Sequence, residues 1–78
     1  LELTTGTILD MDSNEFITVN GTFTVTLHDA ASPGIIKKLF NAGTGIVTIS
    51  GNINGQANMI LYPGESVELI TDGNGWRC

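Results

Sequence analysis

Seventy-eight residues with one cysteine and one histidine make one small domain. Two common staples are excluded: Cys78 has no internal disulfide partner, and one Cys with one His cannot supply the four ligands of a structural zinc site. The net charge is −5 with only Lys37, Lys38 and Arg77 as cations, so no basic stripe neutralises phosphates, and nucleic acid and anionic membrane surfaces are not expected partners. Charged residues make up 14% of the chain against a usual share of about 25%, which suits a neutral, Thr/Asn/Gly-rich surface of a secreted or virion β-protein better than a cytosolic enzyme. No apolar run approaches the roughly 18 to 20 residues of a membrane-crossing helix, so no membrane insertion is expected. The start LELTTG has neither the basic nor the apolar segment of a signal peptide. With no initiator methionine, residues 1–78 read as a single β-domain excised from a longer protein.

In chain order, the first clear signal is FITV, followed by Asn20-Gly21 and TFTVTLH. Asn-Gly between alternating runs is the strongest short hairpin signal, so a hairpin is expected here. In TFTVTLH, Phe23, Val25 and Leu27 share one face while Thr22, Thr24, Thr26 and His28 share the other. After Ser32-Pro33-Gly34 comes GIIKKLFNAG, whose Ile35 and Leu39 fall on one helical side, joined loosely by Ile36 and Phe40. Its Gly borders and β-branched start predict a strand instead. Beyond the turn Ala42-Gly43-Thr44-Gly45, GIVTIS sets Val47 and Ile49 against Ile46, Thr48 and Ser50. Turn chemistry returns at Gly51-Asn52 and Asn54-Gly55, then Met59-Ile60-Leu61 leads to Pro63-Gly64. SVELIT sets Val67 and Leu69 against Ser66, Glu68 and Ile70, and Asp72-Gly73-Asn74-Gly75 turns into Trp76.

Turns every eight to twelve residues with period-two runs between them describe an all-β fold. About seven or eight short, mainly antiparallel strands in a sandwich- or prism-like arrangement are expected. Phe23, Val25, Leu27, Val47, Ile49, Leu61, Val67 and Leu69 are assigned to the core or to a contact with another chain. Ile35-Ile36, Leu39-Phe40, Met59-Ile60-Leu61 and Leu69-Ile70 are apolar on both faces, more than a chain this small can wrap by itself. Their second faces are expected to meet identical chains in an intertwined homotrimer or similar closed assembly.

The chemistry-bearing residues do not assemble into a catalytic pattern, and no enzymatic role is expected. His28 reads as an exposed strand-end residue just before Asp29, and Gly64-Glu65-Ser66-Val67 lacks the second glycine of a nucleophile elbow. The acids are scattered, with no glycosidase-like pair. DMDSNE offers Asp10, Asp12 and Asn14 at alternating positions, but a calcium loop wants Gly at its sixth position and Glu at its twelfth, and here these are Glu15 and Gly21. Asn20-Gly21-Thr22 fits a glycosylation sequon, yet the turn reading is stronger. Gly43-Thr44-Gly45 has no dinucleotide-loop context and is also a turn. Catalytic, cofactor and metal residues are therefore all assigned as none. Trp76 remains, either folded back over the core or, with Tyr62, forming a platform for a host cell-surface glycan. Asn52, Asn54, Asp72 and Asn74 would then supply hydrogen bonds.

From about Phe23 to Trp76 the chain resembles a small β-domain of bacteriophage tail fibres, head fibres and related virion appendages. The matching pieces are TVTL with a following Pro-Gly, the Asn-Ala-Gly-Thr-Gly turn into IVTI, GNINGQ, and LYPGESVELITDGNGW. The resemblance implies a homotrimeric structural domain of a virion fibre or spike that serves host attachment, in some cases by receptor binding. It transfers no catalytic or binding residue, because the matching positions are turn glycines, core aliphatics and the final tryptophan.

Overall fold

The computed structural model describes residues 1–9, 14–28 and 33–78, and its described residues form nine strands in one nearly closed, barrel-like sheet with no helix. The strands are β1 (Glu2–Leu3), β2 (Thr7–Leu9), β3 (Glu15–Val19), β4 (Thr24–Leu27), β5 (Ile36–Asn41), β6 (Val47–Ile53), β7 (Gln56–Leu61), β8 (Ser66–Thr71) and β9 (Trp76–Arg77). The hydrogen-bonded order is β1-β3-β5-β8-β9-β6-β4-β2, with β7 on β6. The all-β expectation holds. No described helix is long and apolar enough to cross a membrane.

Pairing departs from the antiparallel arrangement expected. β1, β3 and β5 stack in parallel, and so do β2, β4 and β6, so odd and even strands form two walls that the chain visits alternately. Each pass through both walls is one coil, stacked on the previous one. The last third of the chain then covers the growing end: β8 runs antiparallel along β5, β7 antiparallel along β6, and β9 joins β8 to β6.

The parallel stack corrects the Asn20-Gly21 hairpin. β3 and β4, which flank it, pair with other strands and not with each other, so this dipeptide turns a corner between walls. The tight hairpin belongs to Asn54-Gly55, where φ is 51° and 82° and Ile53 pairs with Gln56. Two successive positive φ values are those of a type I′ turn, whose twist matches paired strands. Pro63-Gly64 behaves as read: Gly64 has φ 83° and the Glu65 N–H donates to the Tyr62 carbonyl at 3.0 Å, the geometry of a type II turn.

Alternation places the core correctly. Val25, Leu27, Val47, Ile49, Leu61 and Leu69 are buried between the walls, and Phe23 and Val67 pack partly buried against them. GIIKKLFNAG is strand, but its inward face is Lys37, Leu39 and Asn41. Lys37 is fully buried and its ammonium pairs with the Glu15 carboxylate; β3 and β5 bring the two side by side in register. Asn41, also fully buried, donates through Nδ2 to the carbonyls of Gly45 and Leu61, both at 2.9 Å, and accepts the Gly43 N–H at 3.1 Å. One carboxamide thus ties its own turn to the end of β7.

Candidate functional site

Trp76 and the loop before it were the strongest binding candidate in the sequence. The loop is ordered by Asp72, whose Oδ1 accepts the N–H groups of Asn74 and Gly75, each at 2.9 Å, while Oδ2 accepts Arg77 Nε–H at 2.7 Å. These donors, Arg77 first, stabilise the carboxylate and hold its pKa down at about 2. The turn delivers Trp76 inward. Its side chain is 1% exposed, Nε1–H donates to the His28 carbonyl at 3.1 Å, and the His28 ring meets it edge-on at 5.4 Å between centroids.

A ring so enclosed presents no face to a sugar in this chain. Tyr62 is exposed, but it precedes β8 whereas Trp76 pairs with the last residue of that strand. Six extended residues separate the two rings by roughly 17 to 20 Å, so they do not form one platform. Asp72 and Asn74 stay at the Trp76 end, with Asp72 engaged by Arg77. His28 is also relocated. Instead of ending the threonine face as an exposed residue, it is half-buried just past β4 and packs on the indole. Ser66 lies exposed at the far end of β8, so the structure does not bring it to His28.

Asn52 and Asn54, by contrast, lie near a concave feature. Between β6 and the start of β7, where the register shifts after Ser50, a shallow cleft of about 470 Å³ is lined by Ser50, Gly51, Asn52, Gly55, Gln56 and Ala57. Its lining side chains are uncharged. Asn52 Nδ2–H also donates to the Asn74 carbonyl at 3.3 Å, which ties the cleft wall to the loop before Trp76. The Asn54 carboxamide turns to Cys78, accepting its N–H and donating to Sγ. Gln56 escaped the sequence reading because the signal around it was only turn chemistry.

Asp10, Asp12 and Asp29 lie outside the described residues, so the calcium-loop comparison has no structural counterpart. Among the described residues no group of three His, Cys, Asp or Glu side chains converges on a metal-sized site.

The outward faces differ between the two walls. On β2, β4, β6 and β7 the register aligns Thr24, Thr48 and Ile60 in one row and Ile8, Thr26, Ser50 and Asn58 in another. On β3, β5 and β8 it aligns Phe16, Lys38 and Glu68; Thr18, Phe40 and Ser66; and Ile36 with Ile70. Phe16 is 71% exposed, and Phe40 and Ile70 are also exposed.

Comparison of the chain with protein-family models, curated proteins and solved structures finds no match.

Proposed function

We propose that this chain is a structural, self-associating β-domain of a phage fibre or spike, assembled as a homotrimer in the host-attachment apparatus of the virion. The observation that supports it most is the surface left by a filled interior. With the space between the walls occupied by aliphatics and Trp76, Phe16, Phe40, Ile46, Ile60, Tyr62 and Ile70 still project outward at more than two-fifths exposure. Scattered single apolar residues are ordinary on a monomer, but three of these, Phe16, Phe40 and Ile70, share the outward face of β3, β5 and β8, and grouped aromatic and β-branched side chains are the composition of a contact surface. The order of TVTL, NAGTG-IVTI and LYPGESVELITDGNGW supplies the virion context by resemblance. Native mass spectrometry at micromolar concentration is expected to give three times the chain mass, and a folded, soluble monomer would overturn the reading.

The second reading, a module that binds a host glycan, is favoured by the uncharged cleft at Ser50, Asn52 and Gln56. Its volume lies within the range of small-ligand sites, and carboxamides and hydroxyls match sugar hydroxyls as donors and acceptors. In this form it relies on the cleft in place of Trp76 and Tyr62. A neutral-glycan array that binds wild type and loses the signal with Gln56→Ala supports it, whereas identical profiles for both proteins remove it.

A further inference from the structure

The outward face of the wall containing β3, β5 and β8 carries two opposite charges that stand side by side without pairing with each other. Lys38 and Glu68 stand directly opposite each other on β5 and β8. Cross-strand neighbours at that spacing are well placed to pair, yet they form no ion pair. Phe16 extends the same row on β3. The rows on either side are apolar or neutral: Ile36 with Ile70 on one flank, Phe40 between Thr18 and Ser66 on the other. Lys38 therefore lies between Phe16 and Glu68, with Ile36 and Phe40 before and after it on β5, while Glu68 ends the row between Ser66 and Ile70 on β8.

We propose that this face is the surface on which copies of the chain pack, with Lys38 of each copy paired to Glu68 of its neighbour. This deepens the self-association reading and rests on it. The occupant is a second copy because the patch is complementary to itself: it offers one cation and one carboxylate, unpaired with each other, and a rotated copy offers the same two. The overall charge of −5 sharpens the point. A cation in the contact offsets the repulsion between two acidic chains at short range, and of the three cationic side chains Lys37 is buried against Glu15 and Arg77 is held by Asp72. Lys38 is the one placed on an outward apolar face. Phe16, Phe40 and Ile70 exclude water around the pair, which strengthens it relative to an isolated surface ion pair. The opposite wall carries Ile60 beside Thr24 and Thr48, and Ile8 beside Thr26, Ser50 and Asn58, with no charged side chain in either row; it remains toward solvent.

The test is the dilution dependence of native mass for wild type, Lys38→Glu, Glu68→Lys and the double exchange, with circular dichroism to verify folding. Each single reversal is expected to raise the concentration of half-dissociation at least about tenfold, equivalent to roughly 1.4 kcal/mol, and the double exchange to recover most of that loss. Phe16→Ser tests the same face without a charge change and should weaken assembly similarly, while Thr48→Glu on the opposite wall should leave it intact. Single reversals that assemble like wild type, or a Thr48→Glu variant that dissociates while Lys38→Glu does not, would overturn this face and leave self-association standing. A monomeric wild type would overturn both.

Discussion

Trp76 shows how one residue's role depends on where its loop aims it. Asp72 gathers two backbone N–H groups and the Arg77 guanidinium, the turn tightens, and the indole goes inward to the His28 carbonyl. Trp76→Ala should therefore cost about 3 to 5 kcal/mol through the lost volume. Trp76→Phe should cost less, about 1 to 2 kcal/mol, of which the orphaned His28 carbonyl is a part. Denaturant titration measures both, and slow quenching of the wild-type indole by acrylamide is the companion result; free quenching, relieved by a sugar, would show an outward indole that binds the sugar without Tyr62. Asp72 makes a pH prediction. Its folded pKa of about 2 lies below the usual 3.8, so its stabilisation is present above pH 4 and is lost as the pH falls toward 2. Asp72→Asn should lower the melting temperature at pH 7 and have little effect near pH 2. An equal drop at both pH values would show that the carboxylate's charge is not what orders the loop.

At the scale of elements, the corners of the coil matter as much as the strands. The turn after β5 sits directly on the corner after β3: a Cβ added at Gly45 would collide with Thr22 Oγ1 and come within 2.8 Å of the Gly21 carbonyl oxygen. The hydroxyl can rotate away, but the backbone oxygen cannot without separating the stacked corners. Gly45→Ala should thus destabilise by about 1 to 3 kcal/mol, and adding Thr22→Ala should recover only part of it. Full recovery would place the close contact at the side chain alone. The same stacking explains the two Asn-Gly pairs. Both suit a tight turn locally, but Asn54-Gly55 joins strands that pair, whereas Asn20-Gly21 joins strands in different walls.

For the whole molecule, parallel stacking produces a gradient of protection. β5 lies between β3 and β8, and β6 between β4 and β7, whereas β1 and β2 each have a partner on one side. Amide hydrogen exchange should be slowest at Leu39 and Ile49 and fastest at Leu3 and Ile8, because edge strands open without breaking the stack. Uniform protection across the four strands would contradict the topology.

Period-two alternation and turn chemistry were enough to assign an all-β chain, the inward residues of β4, β6 and β8, and β5 as strand. Those features are local: pleating sends alternate side chains to opposite faces whatever the partner strand, and Pro-Gly or Asn-Gly restrict the backbone by themselves. Which strand each one pairs with is not local. Parallel pairing joins residues one whole coil apart, with no tight hairpin turn linking the two strands to announce it, so only the tertiary structure placed β3 on β5 and β4 on β6. It also decided that Lys37 and Asn41 continue the inward face of Leu39, since a buried lysine requires Glu15 beside it and a buried carboxamide requires carbonyls brought from Gly45 and Leu61. The inward turn of Trp76 was settled in the same way, by the carbonyl of a residue 48 positions earlier in the chain.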